Sequence, residues 1–269
     1  MDRVRTLRRV IADAGDLVVA FSGGVDSALV ADVASEVLGD RALIVTAVSP
    51  ALAARERADA ARLAAARGWN HIEVVTDELS KAGYRRNAGD RCYFCKETLF
   101  ESLAPLAAER SARIAVGTNL DDLGDHRPGI TAAREVGVLT PLVDAGLTKS
   151  AVRELARSRG LDVADKPATP CLSSRIAYGV EVTAERLSRI AEAESFLREL
   201  GLPDLRVRDH GDLARIEVPE ADITRIAAHA SSIESRLKDL GFLFVTLDLG
   251  GLRSGGLNAL LTRIERVRP

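Results

Sequence analysis

The stretch Leu17-Val18-Val19-Ala20-Phe21-Ser22-Gly23-Gly24-Val25-Asp26-Ser27 decides the fold. Its first five residues form a short, continuous apolar run, as in a strand buried on both faces. Two adjacent glycines follow, and then a helical stretch, Ala28–Leu38. Paired glycines let the backbone turn sharply with its amides pointing inward. The N-terminus of the helix behind them adds partial positive charge. Together these features make an anion site suited to pyrophosphate, to which Ser22 and Ser27 can add hydroxyl hydrogen bonds. The spacing is neither GxxxxGK with a following Ser or Thr nor GxGxxG, which excludes a Walker A loop and a dinucleotide fingerprint. Asp26 is out of place beside phosphates unless a cation bridges them, and Mg²⁺ favours such oxygen ligands. A helix N-terminus is also a favourable place for an acid in its own right.

Outward from this turn, strands and helices alternate. Ala42–Val48, His71–Val75 and Ile114–Gly117 read as strands, and Arg55–Arg67, Thr98–Glu109 and Thr148–Arg159 as helices. That alternation predicts a parallel sheet covered on both faces, with phosphates at the carboxyl end of its first strand. Residues 78–90 and 117–129 are long polar loops, which in a compact α/β domain are usually functional or mobile. After about Val180 the pattern changes. Thr183 is a candidate N-cap for a helix running to Leu200. Leu205–Arg208 and Ala214–Val218 then read as strands, Asp222–Leu240 as a helix, and Phe242–Leu249 as a last strand. The predicted organisation is an α/β domain over 1–180 and a small α+β domain over 181–269.

The 269 residues carry 37 basic and 39 acidic side chains, a formal net charge of −2. A general polyanion binder usually has a large basic surplus, so nucleic acid is an unexpected partner. No apolar run approaches the roughly 20 residues of a membrane span. Five lysines accompany 32 arginines, so any role for arginine must come from its position. The three cysteines are too few and too odd in number for a disulfide framework. The charged N-terminus, Met1 to Arg5, has no apolar signal-like region. The expectation is a cytoplasmic protein with reduced thiols.

Cys92 and Cys95 form a Cys-Tyr-Phe-Cys pair, and Cys171 stands alone in Pro170-Cys171-Leu172-Ser173-Ser174-Arg175. All three are expected in segments without regular structure. Four readings are open: three buried cysteines, a redox pair, a zinc site that needs a fourth ligand, and a 4Fe–4S cluster with one open iron. None of the histidines stands at a spacing that would complete a zinc site, and His126 and His210 read as structural.

The string SGGVDS at the end of a buried strand resembles the PP-loop of ATP pyrophosphatases. That group includes GMP, NAD and argininosuccinate synthetases and several thiolation enzymes. With RCYFCK, GTNLDDLGDHRPG, KPATPCLSSRIAYG and LRVRDH, the chain resembles, over nearly its whole length, the LarE family of ATP-dependent sulfur transferases.

The resemblance implies ATP and Mg²⁺ at Ser22, Gly23, Gly24, Asp26 and Ser27, with Gly117, Thr118, Asn119, Asp121 and Asp122 facing the nucleotide. It implies pyridinium-3,5-biscarboxylic acid mononucleotide as the substrate, held by Ser174, Arg175, Glu194, Arg206 and Arg208. Each carboxylate would be adenylylated and then converted to a thiocarboxylate, on the way to the nickel-pincer cofactor of lactate racemase. In one branch of the family the cysteine at the position of Cys171 gives up its own sulfur. In the other, three cysteines hold a 4Fe–4S cluster carrying an extra sulfide, and Cys92, Cys95 and Cys171 resemble that set. The family also implies a trimer-based homo-oligomer, possibly a hexamer, with a sulfur donor and a downstream nickel insertase as partners. Rival readings are a tRNA thiolase, a non-catalytic nucleotide sensor and an amidotransferase using free ammonia.

Overall fold

The computed structural model describes residues 2–124, 128–167, 169–253 and 256–257. His126 lies outside them. In chain order the elements are α1 (Asp2–Ala14), β1 (Leu17–Ala20), α2 (Val25–Leu38), β2 (Ala42–Val48), α3 (Ala54–Ala66), β3 (His71–Val75), α4 (Ala82–Arg86), α5 (Arg91–Glu109), β4 (Arg113–Ala115), α6 (Pro128–Glu135), α7 (Pro141–Asp144) and α8 (Lys149–Ser158). After these come α9 (Ala184–Glu199), β5 (Arg206–Asp209), β6 (Leu213–Glu217), α10 (Ile223–Ala228), α11 (Ala230–Asp239) and β7 (Phe244–Leu247).

The chain divides into two compact units. The first comprises Met1–Glu78 and Cys92–Thr169, the second Leu79–Arg91 and the chain from Pro170 onward. This division differs from the expected cut at 180. The buried Asn87 gives the reason, since its amide donates to the carbonyls of Ile176, Ala177 and Val180. Tyr84 Oη and Ser173 Oγ add a buried bond of 2.6 Å. These contacts draw both 79–91 and 170–180 into the second unit.

The first unit holds a parallel sheet in the order β3-β2-β1-β4. Alternation along its strands serves two cores, as a doubly covered sheet requires. Leu17, Val19, Ala42 and Ile44 pack with Leu7 and Ile11 of α1, the apolar side of α2, and Val152 and Ala156 of α8. Val18, Leu43 and Val45 pack with Phe100 and Leu103 of α5 and Ala132 and Ala133 of α6. β1 leads outward to β2 and β3 on one side and pairs with β4 on the other. Strand order therefore reverses beside β1, and the glycine loop leaves its carboxyl end at this switch point.

The second unit holds the sheet β5-β6-β7, antiparallel between β5 and β6 and parallel between β6 and β7. Val207, Ala214 and Ile216 form its core with Ala193 and Leu197 of α9 and Ile233 and Leu237 of α11. Thr183 caps α9 as expected, accepting from the Arg186 amide at 3.2 Å. Two expectations are corrected. The helix expected over 222–240 is broken at His229 into α10 and α11, and the last strand is confined to Phe244–Leu247.

Candidate functional site

The nucleotide-binding candidates lie together in the first unit. Gly23 adopts φ +74°, the left-handed conformation that favours glycine. Gly24 then starts α2. Ser27, one turn into the helix, ties the loop together. It accepts from the Ser22 amide at 3.2 Å, donates to the Gly24 carbonyl at 3.0 Å, and lies 3.1 Å from Ser22 Oγ. Gly117, just beyond β4, presses against this turn: a Cβ on it would come within 2.5 Å of the Ser27 amide nitrogen. Only glycine fits there.

Thr118 leads on to Asn119, which is buried. The Asn119 side chain donates to Asp26 Oδ1 at 3.1 Å, its backbone amide donates to Asp122, and its side-chain oxygen accepts from the Asp121 amide. Asp121 in turn accepts from the Lys149 amide at 2.8 Å. The Lys149 ammonium donates to Asp26 Oδ2. Lys149 thus contacts two of the candidate residues and was not among those the sequence pointed to. Its only signal was its rarity, as one of five lysines beside 32 arginines. Asp26 thus offers a partly exposed carboxylate beside the loop, and carboxylate oxygens are the kind of ligand that Mg²⁺ takes.

A second feature missed in sequence is an open hollow of about 450 Å³ where β2 ends and α3 begins. Val48, Leu52, Ala58 and Ala61 supply its apolar lining, and Arg57 and Glu73 pair at its edge. α3 also borders the glycine loop, because Ala60 is the nearest side chain to Gly23.

The substrate-binding candidates gather in the second unit. Arg175 is 1% exposed. Its guanidinium pairs with Glu194, Nε to Oε1 at 3.0 Å, and also donates to the carbonyls of Pro170 and Cys171 and to Ser174 Oγ. Glu194 accepts further from Arg198 and from the Val207 amide. Burial pushes its carboxyl upward, but Arg175 and Arg198 outweigh burial and hold it below the ordinary range.

Arg206 and Arg208 alternate on β5, as expected. Arg208 is buried against Glu217, at 2.7 Å, and donates to the Ser174 carbonyl. Arg206 is half-buried, and its one hydrogen bond among the described residues runs to the Leu205 carbonyl. Burial, reinforced by nearby Arg175, lowers its pKa. Arg206 is therefore a guanidinium with donors to spare, and Arg175 and Arg208 are held by protein groups. Glu217, which binds both Arg208 and Arg215, was also missed, because no motif marks it and Arg208 was expected to hold substrate. The His210 backbone amide bonds to the Leu213 carbonyl, and burial, with Arg215 nearby, lowers the pKa of its ring.

The cysteines require one correction. Cys92 and Cys95 are not in irregular chain but on the first turns of α5. Thr98, which looked like a helix start, is inside that helix, and its hydroxyl donates back to the Phe94 carbonyl at 2.9 Å. Three residues apart, the two thiols share a helix face. Cys92 and Cys171 are exposed and Cys95 is partly so. Cys171 belongs to the second unit, Cys92 and Cys95 to the first. Among the described residues no group of three or more His, Cys, Asp and Glu is placed to hold a metal ion. No helix among them is long and apolar enough to cross a membrane.

A family model described as asparagine synthase matches residues 5–86, the segment that contains the glycine loop. The chain is 44% identical over 264 residues to an uncharacterized protein of Synechocystis sp., covering 97% of this chain and 98% of the relative. It is 39% identical over 262 residues to the pyridinium-3,5-bisthiocarboxylic acid mononucleotide synthase of Lactiplantibacillus plantarum, covering 97% and 95%. It is 31% identical over 239 residues to an uncharacterized protein of Methanocaldococcus jannaschii, covering 88% and 91%. Likeness over nearly the full length of these relatives, together with a parallel sheet whose glycine loop opens at the switch point, places the chain in the LarE family of PP-loop proteins.

Proposed function

We propose that this protein is an ATP-dependent sulfur transferase that converts the carboxylates of pyridinium-3,5-biscarboxylic acid mononucleotide to thiocarboxylates. The observation that carries the reading is the turn around Ser27. There the Ser22–Ser27 bonds, the α2 N-terminus and the close approach of Gly117 meet, which supports a phosphate-binding role. The hollow beside α3 suits the flat adenine ring. The name of the Lactiplantibacillus relative supplies the product class.

A carboxylate is a poor electrophile. Its oxygen attacks the α-phosphorus of ATP, pyrophosphate leaves, and the acyl-adenylate results. Sulfur then attacks the acyl carbon, and AMP departs with the bonding electron pair. Asp26 is the residue to hold Mg²⁺, whose charge offsets that of the phosphates. Arg206 is the residue to grip the phosphate of the mononucleotide, since a guanidinium with unused donors matches that geometry. The buried Arg175–Glu194 pair fixes the main chain at Cys171 and Ser174.

Cys92, Cys95 and Cys171 would be the thiolates to hold a 4Fe–4S cluster, since a soft sulfur donor set suits iron, and the cluster would supply the sulfur to be transferred. A second reading is favoured by the exposure of Cys171 on a main chain pinned by Arg175. In it, the Cys171 thiolate attacks the acyl-adenylate and AMP leaves; a base then removes the Cα proton and the Cβ–Sγ bond breaks, giving the thiocarboxylate and dehydroalanine in the chain. The proposal extends to a trimer-based homo-oligomer working in the cytoplasm with a sulfur donor and a nickel insertase.

The test is anaerobic purification with iron and sulfide analysis, followed by incubation with ATP, Mg²⁺ and the pyridinium substrate. Pyrophosphate release with a product heavier by sulfur-for-oxygen exchange is expected. Iron with an unchanged Cys171 supports the cluster, and loss of sulfur from Cys171 by mass spectrometry supports self-donation. No pyrophosphate release would overturn the activity.

A further inference from the structure

Asp26 is the chemically odd member of the phosphate loop, and both of its oxygens are taken. Asn119 donates to Oδ1 at 3.1 Å, and the Lys149 ammonium occupies Oδ2. Lys149 is anchored from behind. It is the first residue of α8, and its amide is held by Asp121 at 2.8 Å. Its side chain is 37% exposed, so the residue is anchored at its backbone while its ammonium end reaches solvent.

We infer that Lys149 is an exchangeable counter-ion. It covers Asp26 while the loop is without nucleotide, gives up Oδ2 when a divalent cation arrives with ATP, and then places its ammonium on the phosphates. The inference rests on the reading of this loop as an ATP site.

Three observations carry it. First, a carboxylate at the mouth of an anion cradle repels phosphate, and Lys149 cancels that charge in the empty loop. Second, an ammonium and a divalent cation cannot share one carboxylate oxygen without strong repulsion, so entry of the metal must displace the lysine. Phosphate oxygens at the neighbouring α2 N-terminus are the nearest new partners for the displaced charge. Third, the residue is one of only five lysines in a chain with 32 arginines. A lysine is a hydrated point charge on a flexible stem, which lets go readily. An arginine here would clamp the carboxylate with two parallel bonds.

The inference predicts effects of opposite sign for loss of the charge, and a charge-keeping variant separates an exchanging lysine from a fixed one. The probes are Mn²⁺ alone, followed by electron paramagnetic resonance, and metal-free inorganic pyrophosphate, followed by calorimetry, on the full chain. Lys149→Gln should bind Mn²⁺ several-fold more tightly and pyrophosphate about tenfold more weakly, the scale of one charge-assisted hydrogen bond. Lys149→Arg, which keeps the charge, should hold pyrophosphate within about threefold of wild type and bind Mn²⁺ more weakly than wild type. If Lys149→Gln weakens both probes or moves neither, the exchange is overturned while the nucleotide site stands. If the wild-type protein binds neither pyrophosphate nor ATP, the nucleotide site and the exchange fall together.

Discussion

The Arg175 guanidinium meets the Glu194 carboxylate at 3.0 Å with both side chains 2% exposed. Such a pair contributes little as a pair but is costly to break, because the surviving charge is left buried. Glu194→Gln and Arg175→Leu should each lose about 3–5 kcal/mol in urea unfolding. Arg175→Leu should also change the rate at which Cys171 reacts with a thiol reagent, since Arg175 holds the Cys171 carbonyl. Unchanged stability in both variants would show that the pair is not a structural anchor.

The same carboxylate sets an acid limit. Glu194 is held below its ordinary value in the folded protein, and in the unfolded chain it titrates near about 4.3. Its contribution is therefore complete above that value and is lost as pH falls through the lowered folded value. Unfolding free energy measured from pH 7 downward should fall more steeply below about pH 4.3 in wild type than in Glu194→Gln. Parallel curves would refute the assignment.

Gly117→Ala is the sharpest test of the phosphate cradle. Its new methyl would lie 2.5 Å from the Ser27 amide nitrogen, backbone against backbone, with no side chain able to give way. A loss of about 3 kcal/mol in stability, the upper end for overpacking, is expected. ATP affinity measured by calorimetry should drop at least about tenfold, because the Ser27 turn must move. Wild-type affinity in this variant would remove Gly117 from the site.

Asn87 makes a different kind of demand. It sits at φ +53° and is fully buried, donating to three carbonyls while its own oxygen accepts from Arg91. Asn87→Asp replaces that donor by an acceptor facing carbonyl oxygens, and Asn87→Gly keeps the backbone freedom but loses the bonds. We expect both to destabilise the protein, by about 2 kcal/mol or more for Gly and by more for Asp. Thermal melts that rank Asp as the milder change would contradict the hydrogen-bond account.

Much of the first unit was legible in the sequence because its strands are buried on both faces, so Leu17–Phe21 and Ala42–Val48 are simply apolar. The loop was legible because the full string Ser22-Gly23-Gly24-Val25-Asp26-Ser27 follows the first buried strand, where a bare Gly-Gly pair would mark only a tight turn. The start of α5 was not, since Thr98 bonds within a helix that it looked fit to begin. Lys149 was missed for a different reason. Its partner is 123 positions away, and no periodicity or spacing marks a pair that only the sheet topology brings together. Arg206 and Arg208 were correctly placed on one strand face, but nothing in the sequence marked Glu217 as the partner of Arg208.

The divided second unit also bears on how the chain emerges from the ribosome. Asn87 must wait for Ala177, 90 residues later in the chain. Residues 79–91 therefore leave the exit tunnel well before their partners exist, and α5 to α8 are made in between. Loop closure over such a separation is slow compared with local helix formation. A nascent chain halted at Thr169 should hold the parallel sheet yet leave Tyr84 and Asn87 open to protease. One halted after β7 should protect them, and limited proteolysis of stalled chains would read that order of assembly directly.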